Sequence, residues 1–256
     1  MSGPEGAHPP ERRRAGVTSG PEDAHPPERH HSPMFTLRVH ALCTGLVLLA
    51  AAGVLVIGVA ASPTDPPWQP LDDHWLAWMQ DHRTAWATRV ARWFSTVGSS
   101  KVTVPIRLLV VLILARRHRW LQLGAFAGAV ITSELCIGPL KALIDRPRPP
   151  MSMIETSSSS FPSGHAIAGA VTAFGLAVVL AAPRARRWWW IGGASAFAGV
   201  MALSRTYLGA HWLSDVVAGV LIGTGLALVW PSSLELLRAR RRRTESASQA
   251  LPAARR

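Results

Sequence analysis

The sequence predicts an all-α integral membrane protein, a bundle of six membrane-spanning helices. Three observations predict it. Six long apolar segments run through the 256 residues, which are 48% hydrophobic. Only 16% of the chain is charged, against about 25% in soluble domains. The net charge of +12 gathers mostly in short arginine runs beside the apolar segments, where positive flanks of membrane helices account for it without nucleic acid. Cys43 and Cys136 each sit inside an apolar run, with neither a disulfide framework nor metal-ligand spacing.

Residues 1–33 are rich in Pro, Glu, Arg and His and have no apolar periodicity, so a disordered tail is expected. The tail carries a near-duplicate: the segment from Ser2 to Arg12 recurs from Ser19 to Arg29. Two copies are too few for a solenoid, and a linker without chemistry is the simpler reading. His30 and His31 lack the companions a metal site needs. The proline-rich start also argues against a simple cleaved signal peptide.

The first span covers about 40–62, free of charge from Ala41 to Ala61 and longer than the ~20 residues that cross a bilayer. Residues 63–100 then bring Pro63, Pro66, Pro67 and Pro70 with Trp68, Trp75, Trp78 and Trp86. Leu76, Met79, Trp86, Val90, Trp93 and Phe94 recur at helical spacings, so one or two short helices are expected at the membrane surface. The second span, about 101–115, is short and interrupted by Pro105 and Arg107. The third, about 120–140, contains Glu134. An intramembrane carboxylate reads either as a functional group or as a partner for Arg107.

The fourth span is about 163–182, the fifth about 188–204 and the sixth about 213–230, closed by Trp230-Pro231. The membrane domain is therefore 34–231, followed by a basic tail at 232–256. The N-terminal tail, the 116–119 turn, the 184–187 turn and the C-terminal tail are all arginine rich. Six spans put these four segments on one side, the cytoplasm, with both termini. The 63–100 segment and the loops after the third and fifth spans then face outward. Arg146, Arg148 and Arg205 break the charge rule there, and a ligand supplies a reason.

Those outward segments hold three polar islands. In the first, Lys141 and Arg148 flank Pro147, and Pro149 follows. The prolines end the helix near Arg146, leaving Lys141 on its last turns and Arg148 on an extended exit. A compact ammonium and a forked guanidinium both suit phosphate oxygens; alone, the pair also reads as a basic helix end. In the second, Pro162-Ser163-Gly164-His165 opens a helix whose first N–H groups point toward an anion. Gly164 admits close approach, and His165 is placed to donate a proton; alone, this is equally an ordinary cap. In the third, Arg205 adds a cation, Gly209 lets the chain turn, and His211 and Asp215 share one helix face. A carboxylate fixed on one imidazole nitrogen leaves the other free as a nucleophile, although a local solvated pair has the same spacing. The conjunction on one membrane face is what selects the chemical reading.

The spaced set Lys141-x6-Arg148-Pro149, Pro162-Ser163-Gly164-His165 and Ser204-Arg205-x5-His211-x3-Asp215 resembles the three signature motifs of the type 2 phosphatidic acid phosphatase superfamily. That family shares its core with vanadium-dependent haloperoxidases and bacterial nonspecific acid phosphatases. The resemblance covers about residues 95–230, with every motif position filled. It implies His211 as the nucleophile forming a phosphohistidine, oriented by Asp215, and His165 as general acid. It implies Lys141, Arg148, Arg205, Ser163 and the Gly164 backbone as ligands of the phosphoryl oxygens. It implies no cofactor or metal, the cations taking that part.

The expected activity is hydrolysis of a lipid phosphate or diphosphate at the outer membrane face. Undecaprenyl diphosphate is favoured over phosphatidylglycerol phosphate and phosphatidic acid, because an outward site suits carrier-lipid recycling. Phosphotransfer through the same intermediate is the alternative. Vanadate-dependent halide oxidation and a non-catalytic lipid-binding role are disfavoured by the spans and by the filled motifs. The bilayer and a lipid phosphate are the expected partners.

Overall fold

The computed structural model describes residues 33–156, 158–180 and 187–250. The chain divides between Ser32 and Pro33, and every described helix lies in the second unit. The duplicated tail, the centre of the 184–187 turn and Ser157 fall outside the described residues.

Eight helices and no strands make up the described residues. They are α1 (Pro33–Ala61), α2 (Gln69–Asp81), α3 (Ala85–Val97), α4 (Ser100–Arg116), α5 (Trp120–Ile144), α6 (Gly164–Leu180), α7 (Arg187–Tyr207) and α8 (Leu213–Ala250). Each expected span falls on one helix, and the surface segment folds as two, α2 and α3. Pro70 sits in the first turn of α2, where its missing N–H costs nothing. Thr84 caps α3 by accepting from the Ala87 amide at 3.4 Å. Asp145 ends α5 in the left-handed region, φ 43°, before the prolines.

Two sequence expectations change. The second span, α4, does not stand alone. α3 and α4 meet at a 46° bend and together have the length and hydropathy of one crossing. The sixth span does not close at Pro231, because α8 continues through it to Ala250. By length and composition three helices can cross a membrane, Arg38–Ala61, Trp120–Ile144 and Leu213–Ser246, or four if the α3–α4 pair is one span. α6 is a shorter apolar helix.

α8 is the axis against which α1, α5, α6 and α7 pack. Ala52, Ala129, Ile167, Val171, Ile222 and Leu226 join four of these helices in one cluster. The closest approach is between α8 and the start of α6. A Cβ on Gly219 would lie 2.8 Å from the Ser163 carbonyl, and one on Gly223 would lie 2.6 Å from the Ile167 carbonyl. Only glycine lets these backbones come so near. The outward faces are apolar, with Val47, Val54, Ile57, Leu108, Leu109, Ile131 and Leu135 exposed, as lipid-facing surfaces require.

One buried charge inside this frame is paired with a carboxylate. Arg107, on α4, is buried. It donates to Thr172 Oγ1 at 2.8 Å, Glu134 Oε1 at 2.6 Å and the Ala168 carbonyl at 3.2 Å. Of the two readings of Glu134, the geometry realises the partner.

Candidate active site

The three islands converge where α5 ends and α6 and α8 begin. Lys141 sits on the last turn of α5 and Arg148 on the extended exit. His165 lies on the first turn of α6, Arg205 near the end of α7, and His211 in the turn before α8. Gly209 makes that turn with φ +65°, a conformation in which a Cβ is strained. A Cβ there would also approach Arg83 Nη2 to 3.0 Å.

The segment Ser158–Ser160 is the hub of the site. Tertiary contacts hold this serine run in place. Ser160 is fully buried, and its amide donates to the Arg146 carbonyl at 2.8 Å. Lys141 Nζ donates to the Ser159 carbonyl. Arg148 Nε donates to the Ser158 carbonyl at 2.8 Å, and its Nη1 to the Ala210 carbonyl at 2.6 Å. Arg205 Nη1 donates to the Ser95 hydroxyl. Lys141, Arg148 and Arg205 are close enough to act on one another, and Lys141 and Arg148 also feel Asp215. Among the described residues none of the three pairs with a carboxylate. Their acceptors are neutral, so the positive charge is left uncompensated.

His211 is buried. Its Nδ1 lies 2.8 Å from the Ser160 carbonyl and 3.5 Å from Asp215 Oδ2. The imidazole nitrogen thus faces both the expected carboxylate and, nearer to it, a backbone carbonyl. A carbonyl only accepts, so the proton is on Nδ1 and the lone pair on Nε2. Burial is the main reason the imidazole is pushed down to about 4, with Arg205 and Arg148 acting the same way and Asp215 against them.

Asp215 is held from several sides. Its Oδ2 accepts from the Trp212 amide at 2.9 Å and from the Ser160 hydroxyl. Its Oδ1 accepts from Arg146 Nη1 at 2.6 Å. Asp215 therefore reaches His211 both directly and through Ser160, whose hydroxyl it binds and whose carbonyl binds the ring.

His165 interacts with the backbone at Ser95 and lies in the field of Arg205, His211 and Arg148. Ser163 is fully buried, and its Oγ has no hydrogen-bond partner; nor has Arg205 Nε. Buried polar atoms are rarely left so, and an anion with several oxygens would satisfy both. A Cβ on Gly164 would meet only Ile137 Cγ2, at 3.9 Å, so protein packing does not demand glycine there. Among the described residues no three His, Cys, Asp or Glu side chains group as metal ligands.

Sequence reasoning passed over Arg146, Ser160, Ser95 and Asp72 as site residues. Arg146 carried a signal, since it was one of the arginines on the wrong side of the charge rule. Asp72 carried none, being one of two adjacent aspartates in a surface segment.

Comparison with known proteins identifies the family. Residues 122–238 match the family model described as "PAP2 superfamily", and all three motifs lie within them. An undecaprenyl-diphosphatase of Sulfolobus acidocaldarius is 30% identical over 146 residues, 53% of this chain and 65% of that protein, just under two thirds of its length. A decaprenylphosphoryl-5-phosphoribose phosphatase of Mycobacterium tuberculosis is 33% identical over 138 residues, 48% of this chain and 67% of that protein. The fold is similar to that of a transmembrane PAP2-type phosphatidylglycerolphosphate phosphatase from Bacillus subtilis. The TM-score is 0.61 at 24% identity, covering 75% of this chain and 96% of that one. It is also similar to LpxE of Aquifex aeolicus, with a TM-score of 0.50 at 21% identity over 60% and 90% of the two chains. Motif order, sequence identity and fold thus agree, and the chain belongs to the PAP2 superfamily.

Proposed function

We propose that this membrane protein is a metal-independent lipid phosphatase that works through a phosphohistidine on His211. The observation that carries the proposal is the charge state of the site. Three cations aim at neutral acceptors only, and buried donors on Ser163 and Arg205 lack partners beside an imidazole whose Nε2 lone pair is free.

A phosphoryl group fits this arrangement. Lys141, Arg148 and Arg205, with Ser163 Oγ and the first amides of α6, bind its oxygens and stabilise the charge that develops in flight. His211 Nε2 forms the bond to phosphorus while the bond to the leaving oxygen breaks, and His165 gives that oxygen its proton. The substrate's negative charge favours the protonated imidazole such a donor requires. The ring of His211 becomes cationic as it is phosphorylated, and Asp215 lies within reach to offset that charge. Water then attacks the phosphohistidine, losing its proton to His165, and phosphate leaves. The three side-chain cations occupy the part a metal plays elsewhere.

The substrate is a polyprenyl lipid, with undecaprenyl diphosphate the first candidate. Both curated relatives carry polyprenyl names, undecaprenyl and decaprenyl, which supports this over a glycerolipid. The remaining topology of the proposal is six spans, termini in the cytoplasm and the site at the outer face. Phosphotransfer to an acceptor alcohol uses the same intermediate and is the second reading. Purified protein is assayed in EDTA against undecaprenyl diphosphate, a polyprenylphosphoryl phosphoribose, phosphatidylglycerol phosphate and phosphatidic acid. Phosphate release from the first, abolished by His211→Ala, is the expected result. Release from none, or full turnover by His211→Ala, refutes the proposal.

A further inference from the structure

A charged network lies behind His211, and of its members the family signature names only Asp215. Asp72, Arg146 and Asp215 are each 0–1% exposed. Arg146 bridges the two carboxylates: Nη1 donates to Asp215 Oδ1 at 2.6 Å, Nη2 to Asp72 Oδ2 at 2.8 Å. Nη2 also donates to Gln69 Oε1 at 2.7 Å, and Nη1 to Ser214 Oγ at 2.7 Å. Asp72 accepts the Ser214 amide on Oδ1 at 2.8 Å and the Ser214 hydroxyl on Oδ2 at 2.6 Å.

Two consequences follow. Ser214 is the second residue of α8, so Asp72 caps from another helix the element that follows His211, taking an amide the helix leaves without a partner. The second is electrostatic. One guanidinium shared by two carboxylates leaves the buried trio with one net negative charge. Were Asp215 the sole partner of Arg146, the pair would be neutral and its field at His211 would largely cancel. Asp72 and Gln69 take up one side of the guanidinium, which keeps Asp215 effectively anionic toward the imidazole and holds the Ser160 hydroxyl in place.

We propose that Asp72, assisted by Gln69, is a positioning residue for the reaction: from the surface helix α2 it acts through Arg146 on Asp215 and Ser160, and so sets the direction and charge environment of His211. This rests on the reading of His211 as nucleophile. Asp72 and Gln69 lie outside residues 122–238, which the family model matches, so the assignment comes from this fold and not from the motifs.

The test is Asp72→Asn, which keeps size and the Ser214 amide acceptor but removes the charge. Turnover is measured per folded molecule on the lipid of the panel that the wild type cleaves fastest. Asp72→Asn is expected to lower kcat at least about tenfold with KM within about threefold, the mark of an interaction gained in the transition state. The double variant Gln69→Glu/Asp72→Asn returns the charge to Arg146 Nη2 from the neighbouring position and is expected to regain at least about threefold of the lost kcat. It carries two new conflicts: the amide nitrogen that replaces Asp72 Oδ2 faces Arg146 Nη2, donor against donor, and Asp73, which is exposed and now accepts from Gln69 Nε2 at 2.8 Å, meets a second carboxylate.

An Asp72→Asn protein with wild-type kcat overturns the proposal. So does a well-folded double variant that regains nothing, since Asp72 is then a packing residue alone. If neither protein folds, Gln69→Leu decides. It removes one acceptor from Arg146 and leaves both carboxylates, and an undiminished kcat overturns the proposal while a threefold or larger fall supports it. The two readings fail separately. His211→Ala at wild-type turnover overturns the nucleophile and the positioning role with it. An inactive His211→Ala beside a fully active Asp72→Asn overturns the positioning role alone.

Discussion

The pH dependence of turnover tests the environment of His211 directly. The proposed nucleophile must be neutral, and in solution an imidazole titrates near 6.5. Burial, the largest cause, pushes His211 down to about 4, and the charges of Arg205 on α7 and Arg148 on the α5–α6 connection push the same way. Asp215 on α8 opposes them, and His165 on α6 also faces the ring. At pH 5.5 an ordinary imidazole is roughly one tenth neutral, while one at about 4 is about 97% neutral. The acid limb of kcat/KM, which reports the free enzyme, is therefore expected near pH 4. The substrate's own phosphate titrates near about pH 6. Its titration in the same micelles is measured by phosphorus NMR and divided out. A corrected limb near 6.5 refutes the buried environment described for His211.

The same shift predicts stability, and its sign is definite. Between about 4 and 6.5 the unfolded chain binds a proton at His211 that the folded chain does not, so stability rises with pH across that window. The contribution is complete above about 6.5, is lost as the pH falls toward about 4, and amounts to about 3 kcal/mol. His211→Ala should flatten that part of the pH–stability curve; an unchanged slope between those limits contradicts the assignment.

Gly219→Ala drives a methyl into the Ser163 carbonyl, which a Cβ would meet at 2.8 Å. We expect a loss of ~1–3 kcal/mol in thermal unfolding, together with slower turnover because Ser163 moves with α6; unchanged turnover would detach Ser163 from the phosphoryl site. Glu134→Ala leaves buried Arg107 with only the Thr172 and Ala168 oxygens. A loss of about 3 kcal/mol is expected from unpairing a buried charge, with turnover per folded molecule within about threefold of wild type. A large fall in kcat at full stability would make the pair part of the chemistry.

The fold was legible where its physics is local. Long uncharged runs must be helical in a membrane, since every amide has to find its partner within its own segment, and each such run lies on a helix. The α3–α4 bend was not legible. It depends on how two helices dock on α7 and α5, and the short apolar run at 101–115 alone reads as a deficient span. In the site, the motif residues were legible because their types are scarce in apolar surroundings. Ser160 was not, because what it offers His211 is a backbone carbonyl, which every residue has. Asp72 and Asp73 are adjacent and chemically identical, and only tertiary burial distinguishes the one that is fully enclosed from the one that is exposed.

Arg146 and Arg148 make the same point with consequences for mechanism. They are two residues apart on the same exit from α5, both arginine, both on the side where the charge rule disfavours them. Their surroundings separate them. Arg148 donates to the Ser158, Ser159 and Ala210 carbonyls and to the Ser158 hydroxyl, all neutral, so its positive charge is held in place without being cancelled. Arg146 donates to two carboxylates, and its charge is consumed inside the protein. An anion entering the site therefore meets one of these guanidiniums and not the other. The neutral acceptors orient Arg148 at little electrostatic cost to ligand binding, whereas the carboxylates make Arg146 part of the wall that steadies His211. In the proposed function, what distinguishes Arg148 as a phosphate ligand from Arg146 as a structural arginine is the charge of their acceptors.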